Sequence, residues 1–195
     1  PPPLSVPVLI PTPPSTSERS QPTPPHRRRP LLIYTDASFW RAKRYRDGQE
    51  CSERDRLRGG LGVVVYDPED GSVRTALAEP PWHLLLTDSH SDQRTYIAEL
   101  EALAALSAWL TFPSLLRGRR AHHFLDNTVA LSAFVHGYSG VPSLARTVNA
   151  FYLQMTGLRA SVYFDWVPSR ANIADLPSRG QLDQLSLELA GLRQR

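Results

Sequence analysis

The alternation of hydrophobic and polar residues divides the chain into strand-like and helix-like segments. Five segments have strand length, are rich in β-branched and aromatic residues, and are bounded by turn residues or charges. These predicted strands are residues 31–38, 61–67, 72–78, 121–126 and 161–168. Residues 68–71, Pro-Glu-Asp-Gly, stand between the second and the third strand and predict a turn that makes them an antiparallel hairpin.

Four further segments carry helical patterns. Residues 94–112 contain strong helix formers and are apolar almost all round, which predicts a helix that is largely buried and that Pro113 stops. The other predicted helices are residues 127–137, 142–158 and 181–193. In the second of these, apolar residues recur at alternating spacings of four and three, which predicts one stripe facing the core. The stripe consists of Leu144, Val148, Phe151, Met155 and Leu158.

The order of these elements indicates the fold class. Three strands come first, and helices and strands alternate after them, so the pattern predicts an α/β domain with a mixed sheet and helices packed on it. Alternation within the first strand places Leu32, Tyr34, Asp36 and Ser38 on one face.

The flanking segments differ in composition from this domain. Residues 1–30 hold eleven of the 18 prolines and end in a run of three arginines, which is typical of a flexible linker. We therefore expect a domain over 31–180, a charged insertion over 39–58 that forms a loop or arm, and a C-terminal amphipathic helix within 181–195. Because the chain begins with proline rather than methionine, we expect it to be a piece of a longer polypeptide.

Composition excludes several classes of protein. The single cysteine, Cys51, rules out intrachain disulfides and cysteine-rich zinc sites and favours a reducing, intracellular compartment. The sequence has neither a secretory signal nor an apolar run of roughly 18 to 20 residues, so we expect no membrane partner. The net charge is +3, and 21 of the 22 basic residues are arginine, a balance that permits a nucleic-acid partner without requiring one.

Four carboxylates stand in or beside these apolar elements. Asp36 lies near the end of the first strand and Asp126 ends the fourth. Glu99 lies within the apolar helix, and Asp175 follows the last strand. Asp126 taken alone could cap the helix that begins at Asn127, but four such acids are costly unless they are paired or bind a cation. Clustered carboxylates suit Mg²⁺, which prefers hard oxygen ligands.

Five sequence motifs carry a resemblance to a known family. They are YTDAS at 34–38, GGLGVVVYD at 59–67, AELEAL at 98–103, FLDNTVAL at 124–131 and WVPSRANIADLPSRG at 166–180. Together they resemble the ribonuclease H domain of reverse-transcribing elements, in particular that of hepadnaviral polymerases and tyrosine-recombinase-type retrotransposons. The resemblance covers about 31–180, and the last motif is the most specific.

The resemblance implies both a fold and an activity. The fold is ribonuclease H-like, with a five-stranded mixed sheet whose first three strands are antiparallel. The activity is endonucleolytic cleavage of the RNA strand of an RNA/DNA hybrid with two Mg²⁺ ions, for which Mn²⁺ can substitute, and the expected neighbour is an upstream reverse transcriptase domain in the same polyprotein. The residues that match the family's catalytic and metal-binding carboxylates are Asp36, Glu99, Asp126 and Asp175.

Two glutamates compete for the helix position in this set. Glu99 and Glu101 are about 200° apart around a helix axis, so only one of them can face the site. The resemblance favours Glu99, which is followed by Leu100 and then by a small residue at Ala102, and Glu101 is then expected to face solvent or an arginine.

Further contacts with substrate are expected beside the acids. Ser38 and Asn127 each lie close after an aspartate, where a polar side chain can reach phosphate or a 2′-hydroxyl, although Asn127 equally suits a helix cap. Asn172 matches an asparagine that precedes the last aspartate of the family and orients its loop. Arg170 and Arg179 are placed to contact backbone phosphate.

Two departures from the family pattern leave alternatives open. The loop at 168–174 lacks the histidine of cellular ribonucleases H, which lowers the expected rate. The stretch after Asp126 is too short for the basic protrusion of some members, and the segment 39–58 either replaces that protrusion or is a solvated loop. The competing function is a non-catalytic ribonuclease H-like module that binds nucleic acid or packs against a polymerase. Transposase, integrase and resolvase relatives fit less well, because their last motif differs.

Overall fold

The computed structural model describes residues 8–9, 28–41, 45–46, 49–50, 57–82 and 96–192. Within them the strands are β1 (Val8–Leu9), β2 (Leu31–Arg41), β3 (Tyr45–Arg46), β4 (Gln49–Glu50), β5 (Leu57–Asp67), β6 (Ser72–Ala78), β7 (Arg120–Leu125) and β8 (Ser161–Trp166). The helices are α1 (Ile97–Thr111), α2 (Pro113–Leu116), α3 (Thr128–His136), α4 (Pro142–Gly157), α5 (Asp175–Ser178) and α6 (Leu182–Leu192). One 3₁₀ turn, Ser169–Ala171, precedes α5.

The central sheet has the order β1-β6-β5-β2-β7-β8. Strands β2, β5 and β6 pair antiparallel, whereas β7 lies parallel to β2 and β8 lies parallel to β7. The five long strands are the five predicted ones, so the predicted mixed sheet with three antiparallel strands first is confirmed. The parallel half places the carboxyl ends of β2, β7 and β8 at one edge of the sheet, where sites form in folds of this kind.

Two segments extend this sheet beyond the predicted strands. Strand β1 comes from the predicted linker and pairs antiparallel with β6, with Val8 opposite Thr75. Apart from β1 and 28–30, the linker lies outside the described residues. Within the range predicted as a charged insertion, 39–58, β2 and β5 keep pairing out to Arg41 opposite Leu57. Apolar side chains explain this extension, since Phe39 and Leu57 pack in the same cluster as Leu61 and Tyr96.

The main core lies between the sheet and helices α1, α3 and α4. Helix α1 buries residues on all sides and ends before Pro113, as its composition predicted. Helix α4 buries its predicted stripe at Leu144, Val148 and Phe151, and Leu158 is buried just beyond its end. On the other face of the sheet, Val64, Val73, Ala174 and Leu185 form a second cluster under the C-terminal helices. Among the described helices, none is long and apolar enough to cross a membrane.

Candidate metal centre

Three carboxylates meet at the edge where the parallel strands end. Asp36 lies in β2, Asp126 directly follows β7, and Glu101 reaches them from α1. One oxygen of each lies within 4.8 Å of an oxygen of the others. Asp36 and Glu101 are buried and Asp126 is partly exposed, so the group is open to solvent on the side of Asp126.

Glu101 takes the position that the sequence assigned to Glu99. The Oε1 atom of Glu101 accepts a hydrogen bond of 3.3 Å from the backbone N–H of Ala37 in β2. Glu99 points toward α4, where its Oε1 accepts a hydrogen bond of 3.3 Å from Ser143. The expectation that Glu99 belongs to the site and Glu101 faces solvent or an arginine is therefore corrected. Because α1 is apolar almost all round, the hydrophobic pattern does not distinguish the face that carries Glu99 from the face that carries Glu101.

The charge of Glu101 is strongly disfavoured where it lies. The pKa of Glu101 is raised to about 9, chiefly by burial and also by the nearby charges of Asp36 and Asp126, and the hydrogen bond from the Ala37 N–H only partly opposes this rise. Its Oε2 atom is buried and has no hydrogen-bond partner among the described atoms. An oxygen of this kind costs free energy unless something pairs with it. A divalent cation would satisfy Oε2 and relieve the repulsion among the three carboxylates, so the residues present fit a metal.

Asp36 has partners on both of its oxygens. Ser178 donates a hydrogen bond of 2.5 Å to Oδ2, and the Asn172 side-chain amide lies 3.5 Å from Oδ1. The pKa of Asp36 is raised to about 6, chiefly by burial and also by the charges of Asp126 and Asp175, while the hydrogen bond from Ser178 opposes this rise. The site therefore holds two acids whose charged forms are disfavoured without a cation.

Asp175 lies near this group but outside it. It begins α5, and its Oδ1 atom accepts a charged hydrogen bond of 2.7 Å from Arg179 one turn later. Its charge still raises the pKa of both Asp36 and Glu101. Of the four predicted acids, the structure brings together Asp36 and Asp126 in one group and places Asp175 beside it.

Two of the expected substrate contacts have structural duties instead. Ser38 is buried, where its hydroxyl donates to the Ser178 carbonyl at 2.7 Å and accepts from the Gly60 N–H at 2.9 Å, so the expected contact with substrate is corrected. Asn127 caps α3, accepting from the N–H groups of residues 129 and 130 at 3.0 Å each. The cap interpretation of Asn127 is the one that the structure shows.

The other three expected contacts fall into two groups. Asn172 is buried and donates a hydrogen bond of 2.9 Å to the Thr35 carbonyl, and its own side-chain oxygen accepts from the Ala174 N–H at 3.3 Å. It thus ties the loop before Asp175 to strand β2. The side chains of Arg170 and Arg179 are exposed near the same loop.

Two residues at the site were missed by the sequence reasoning. Ser178 contacts Asp36 directly, and the indole N–H of Trp166 donates a hydrogen bond of 3.1 Å to the backbone carbonyl of Asp126. Both lie within the motif at 166–180, which marked the region without separating these roles. The glycines at 59, 60 and 62 were a further sequence signal, because residues without a side chain let another backbone pack closely against β5.

Solved structures of low sequence identity share this fold. The N-terminal RNase H domain of a Mycobacterium tuberculosis protein matches at TM-score 0.53 and 14% identity, over 81% of this chain and 96% of that one. RNase H1 from Halobacterium salinarum matches at 0.53 and 15%, over 79% and 98%. LC11-RNase H1, solved in complex with an RNA/DNA hybrid, matches at 0.53 and 16%, over 79% and 97%. No family model matches the sequence, and no curated protein matches it. The fold is therefore ribonuclease H-like.

Proposed function

We propose that this protein is a metal-dependent ribonuclease H that hydrolyses the RNA strand of RNA/DNA hybrids. The observation that carries the proposal is the group formed by Asp36, Glu101 and Asp126, in which Glu101 Oε2 is buried without a partner among the atoms that the structure describes. The ribonuclease H-like fold supports it, as does a neighbour of that fold solved with an RNA/DNA hybrid. The motif at 166–180, which resembles those of hepadnaviral and retrotransposon domains, further supports a place beside a reverse transcriptase domain.

The three carboxylates would hold Mg²⁺ or Mn²⁺, with Asp175 as a fourth ligand for a second ion. Such ions, when bound, activate water at neutral pH and offset negative charge on the phosphate during hydrolysis. The chain's own contribution is to keep hard oxygen ligands close together and partly shielded from water. Arg179 neutralises the charge of Asp175 through their 2.7 Å contact. When Asp175 binds a cation, the cation would replace Arg179 as the partner of its carboxylate.

Substrate would be positioned by exposed cations beside the acids. Arg170 lies exposed on the 3₁₀ turn, and Arg179 lies exposed at the end of α5. The pKa of Arg179 is raised by its contact with Asp175, so its guanidinium stays charged at any working pH. Arginines in this position suit phosphate oxygens, and such contacts orient a nucleic acid without reading its sequence.

The test is cleavage of a labelled RNA/DNA hybrid in Mg²⁺ or Mn²⁺, alongside single-stranded RNA, duplex RNA and duplex DNA. Asp126→Asn and Glu101→Gln should each lower the rate by about a hundredfold or more, because each removes a charged ligand. Glu99→Gln is the matched control, since it makes the same change two residues away on α1 and should stay near wild type. If Glu99→Gln abolishes cleavage and Glu101→Gln does not, our placement of the site is wrong.

A second measurement reads the site without catalysis. Because the pKa values of Asp36 and Glu101 lie above those of the unfolded chain, these two carboxyl groups contribute stability to the metal-free fold that is lost as pH rises from about 4 through 6 and on toward 9. At pH 8, Mg²⁺ should therefore raise the melting temperature. Glu101→Gln should raise the melting temperature of the metal-free protein and weaken the response to Mg²⁺.

The two measurements together separate enzyme from binding module. Hybrid-specific, metal-dependent cleavage of the RNA strand supports the nuclease. If the hybrid binds but is not cut, and Mg²⁺ leaves the melting temperature unchanged, the protein is a non-catalytic module of the same fold.

A further inference from the structure

We propose that Ser178 is a positioning residue for the metal centre, holding the carboxylate of Asp36 in the orientation that binds a cation. This inference rests on the proposed function and adds to it a residue from outside the acidic group. Its basis is a set of contacts that join helix α5 to strands β2 and β5.

The Ser178 side chain is aimed directly at Asp36. Ser178 is only 3% exposed, and its hydroxyl lies 2.5 Å from Asp36 Oδ2 and 2.9 Å from the Asp175 carbonyl. A hydroxyl has one proton, and the shorter bond to the carboxylate takes it, since charge-assisted hydrogen bonds are the stronger ones. Within the described part of the chain, Asp36 Oδ1 has only the long 3.5 Å contact with Asn172. The carboxylate is therefore held by one oxygen, and the other remains the better ligand atom.

The backbone at Ser178 is fixed by contacts that do not involve its hydroxyl. Helix α5 packs directly against the backbone of β5. The packing is so close that a Cβ atom at Gly62 would clash with the backbone of Ala174 and of Ser178, and one at Gly60 would clash with the Ser178 carbonyl. Ser38 adds a hydrogen bond of 2.7 Å to that carbonyl. Removing the Ser178 hydroxyl therefore leaves these backbone contacts intact, so the contribution of the hydroxyl to the site can be measured separately.

The same short helix links two acids of the site. Asp175 begins α5 and Ser178 ends it, so the bond from Ser178 to Asp36 joins the Asp36 carboxylate to the helix that carries Asp175. Groups that hydrogen-bond a ligating carboxylate orient it, and their loss usually costs tenfold or more in metal affinity.

The experiment is a calorimetric titration of the metal-free protein with Mn²⁺ alone, supported by metal-free melting temperatures. Ser178→Ala should weaken Mn²⁺ binding about tenfold, whereas Ser178→Thr, which keeps the hydroxyl, should restore most of the affinity. Ser38→Ala is the matched control, because it removes a hydrogen bond to the backbone of Ser178 and leaves the hydrogen bond from the Ser178 hydroxyl to Asp36 in place. It should stay within about twofold of wild type, since the glycine contacts still hold the backbone.

The outcomes separate this inference from the function on which it rests. Unchanged Mn²⁺ affinity in Ser178→Ala overturns the inference. An equal loss of affinity in Ser178→Ala and Ser38→Ala also overturns it, because Ser178 would then act only by holding helix α5 on β5. If Ser178→Ala melts well below wild type, the Thr variant decides: affinity that recovers with the hydroxyl supports the inference, and affinity that stays low at a wild-type melting temperature overturns it. If the wild type and Asp36→Asn both fail to bind Mn²⁺, the proposed function fails, and this inference fails with it.

Discussion

At the scale of single residues, His123 shows how burial decides a charge state in the centre of the sheet. Its ring is completely buried. The indole N–H of Trp109 donates to His123 Nδ1 at 3.3 Å, so Nδ1 is an acceptor and Nε2 carries the proton of the neutral ring. The Nε2–H group then donates to the Thr35 hydroxyl oxygen at 2.9 Å. Burial lowers the pKa of His123 to about 3, so the ring is neutral in the fold. It serves packing and hydrogen bonding, although it lies three residues before Asp126.

We expect His123 to make the fold sensitive to acid. Below about pH 6.5 the unfolded chain binds a proton at this ring and the folded chain does not, so the free energy of unfolding falls by up to about 1.4 kcal/mol per pH unit down to about pH 3. Urea unfolding between pH 7 and pH 4 measures this slope. His123→Leu should be less stable at pH 7 by about 2 kcal/mol, because two polar partners lose their hydrogen bonds, and should show a shallower slope. Equal slopes in both proteins would contradict the assignment.

At the scale of elements, strand β5 is built to receive a helix. Glycine is a poor strand former, yet β5 runs through Gly59, Gly60 and Gly62, because β2 pairs with all three positions and β6 also pairs with Gly62. The missing side chains let α5 pack directly on the β5 backbone, which brings Ser178 to Asp36. The placement of the metal centre thus depends on an interface between two elements that lie far apart along the chain.

We expect Gly62→Ala to displace α5. The added Cβ atom would meet backbone atoms of Ala174 and Ser178, which cannot rotate away, so we expect a loss of about 1 to 3 kcal/mol in the free energy of unfolding. We also expect Mn²⁺ affinity to fall. Gly140→Ala is the control, since nothing lies within 4 Å of its added Cβ atom. Denaturant unfolding and calorimetry on both variants check this, and a Gly62→Ala protein as stable as Gly140→Ala would refute the close packing.

At the scale of the whole molecule, the two ends of the sheet have different duties. The acids lie at one end. At the other, Arg119 and Asp67 form a buried bidentate ion pair at 3.0 and 3.1 Å. Asp67 stands five residues beyond Gly62, the partner of Asp36, which is about 17 Å along β5. Arg119 also donates to the Arg29 carbonyl at 3.3 Å, so the ion pair fixes the chain where it leads into β2.

We expect the two ends to respond separately to mutation. Arg119→Met leaves Asp67 buried and unpaired, and it should cost about 3 to 5 kcal/mol in the free energy of unfolding. Mn²⁺ affinity, measured by calorimetry well below the melting temperature, should stay at the wild-type value, because the acids do not touch this pair. Adding Asp67→Asn should recover part of the lost stability. A large drop in Mn²⁺ affinity in folded Arg119→Met would show that the ends are coupled.

What the sequence determined by itself was local. The five long strands, the hairpin at 68–71, the core stripe of α4 and the stop at Pro113 follow from periodicity and turn chemistry, which act between near neighbours. The same patterns predicted Asp36 near the end of the first strand and Asp126 at the end of the fourth. In the structure β2 continues to Arg41, and Asp36 lies two residues past Tyr34, where the parallel pairing with β7 ends.

Which glutamate faces the site, and what orients it, depends on how the elements pack together. Helix α1 is apolar almost all round, so its hydrophobic pattern does not indicate which face of the helix meets the site. The contact with the Ala37 N–H shows that Glu101, rather than Glu99, faces the site. Ser178 and Asp36 are 142 residues apart, and no local pattern relates them. Ser38 and Asn127 likewise had two possible duties each, and packing against Gly60 and Ser178 or the start of α3 chose between them. Long-range contacts of this kind depend on how elements pack, and that is settled only when the whole sheet and its helices are assembled.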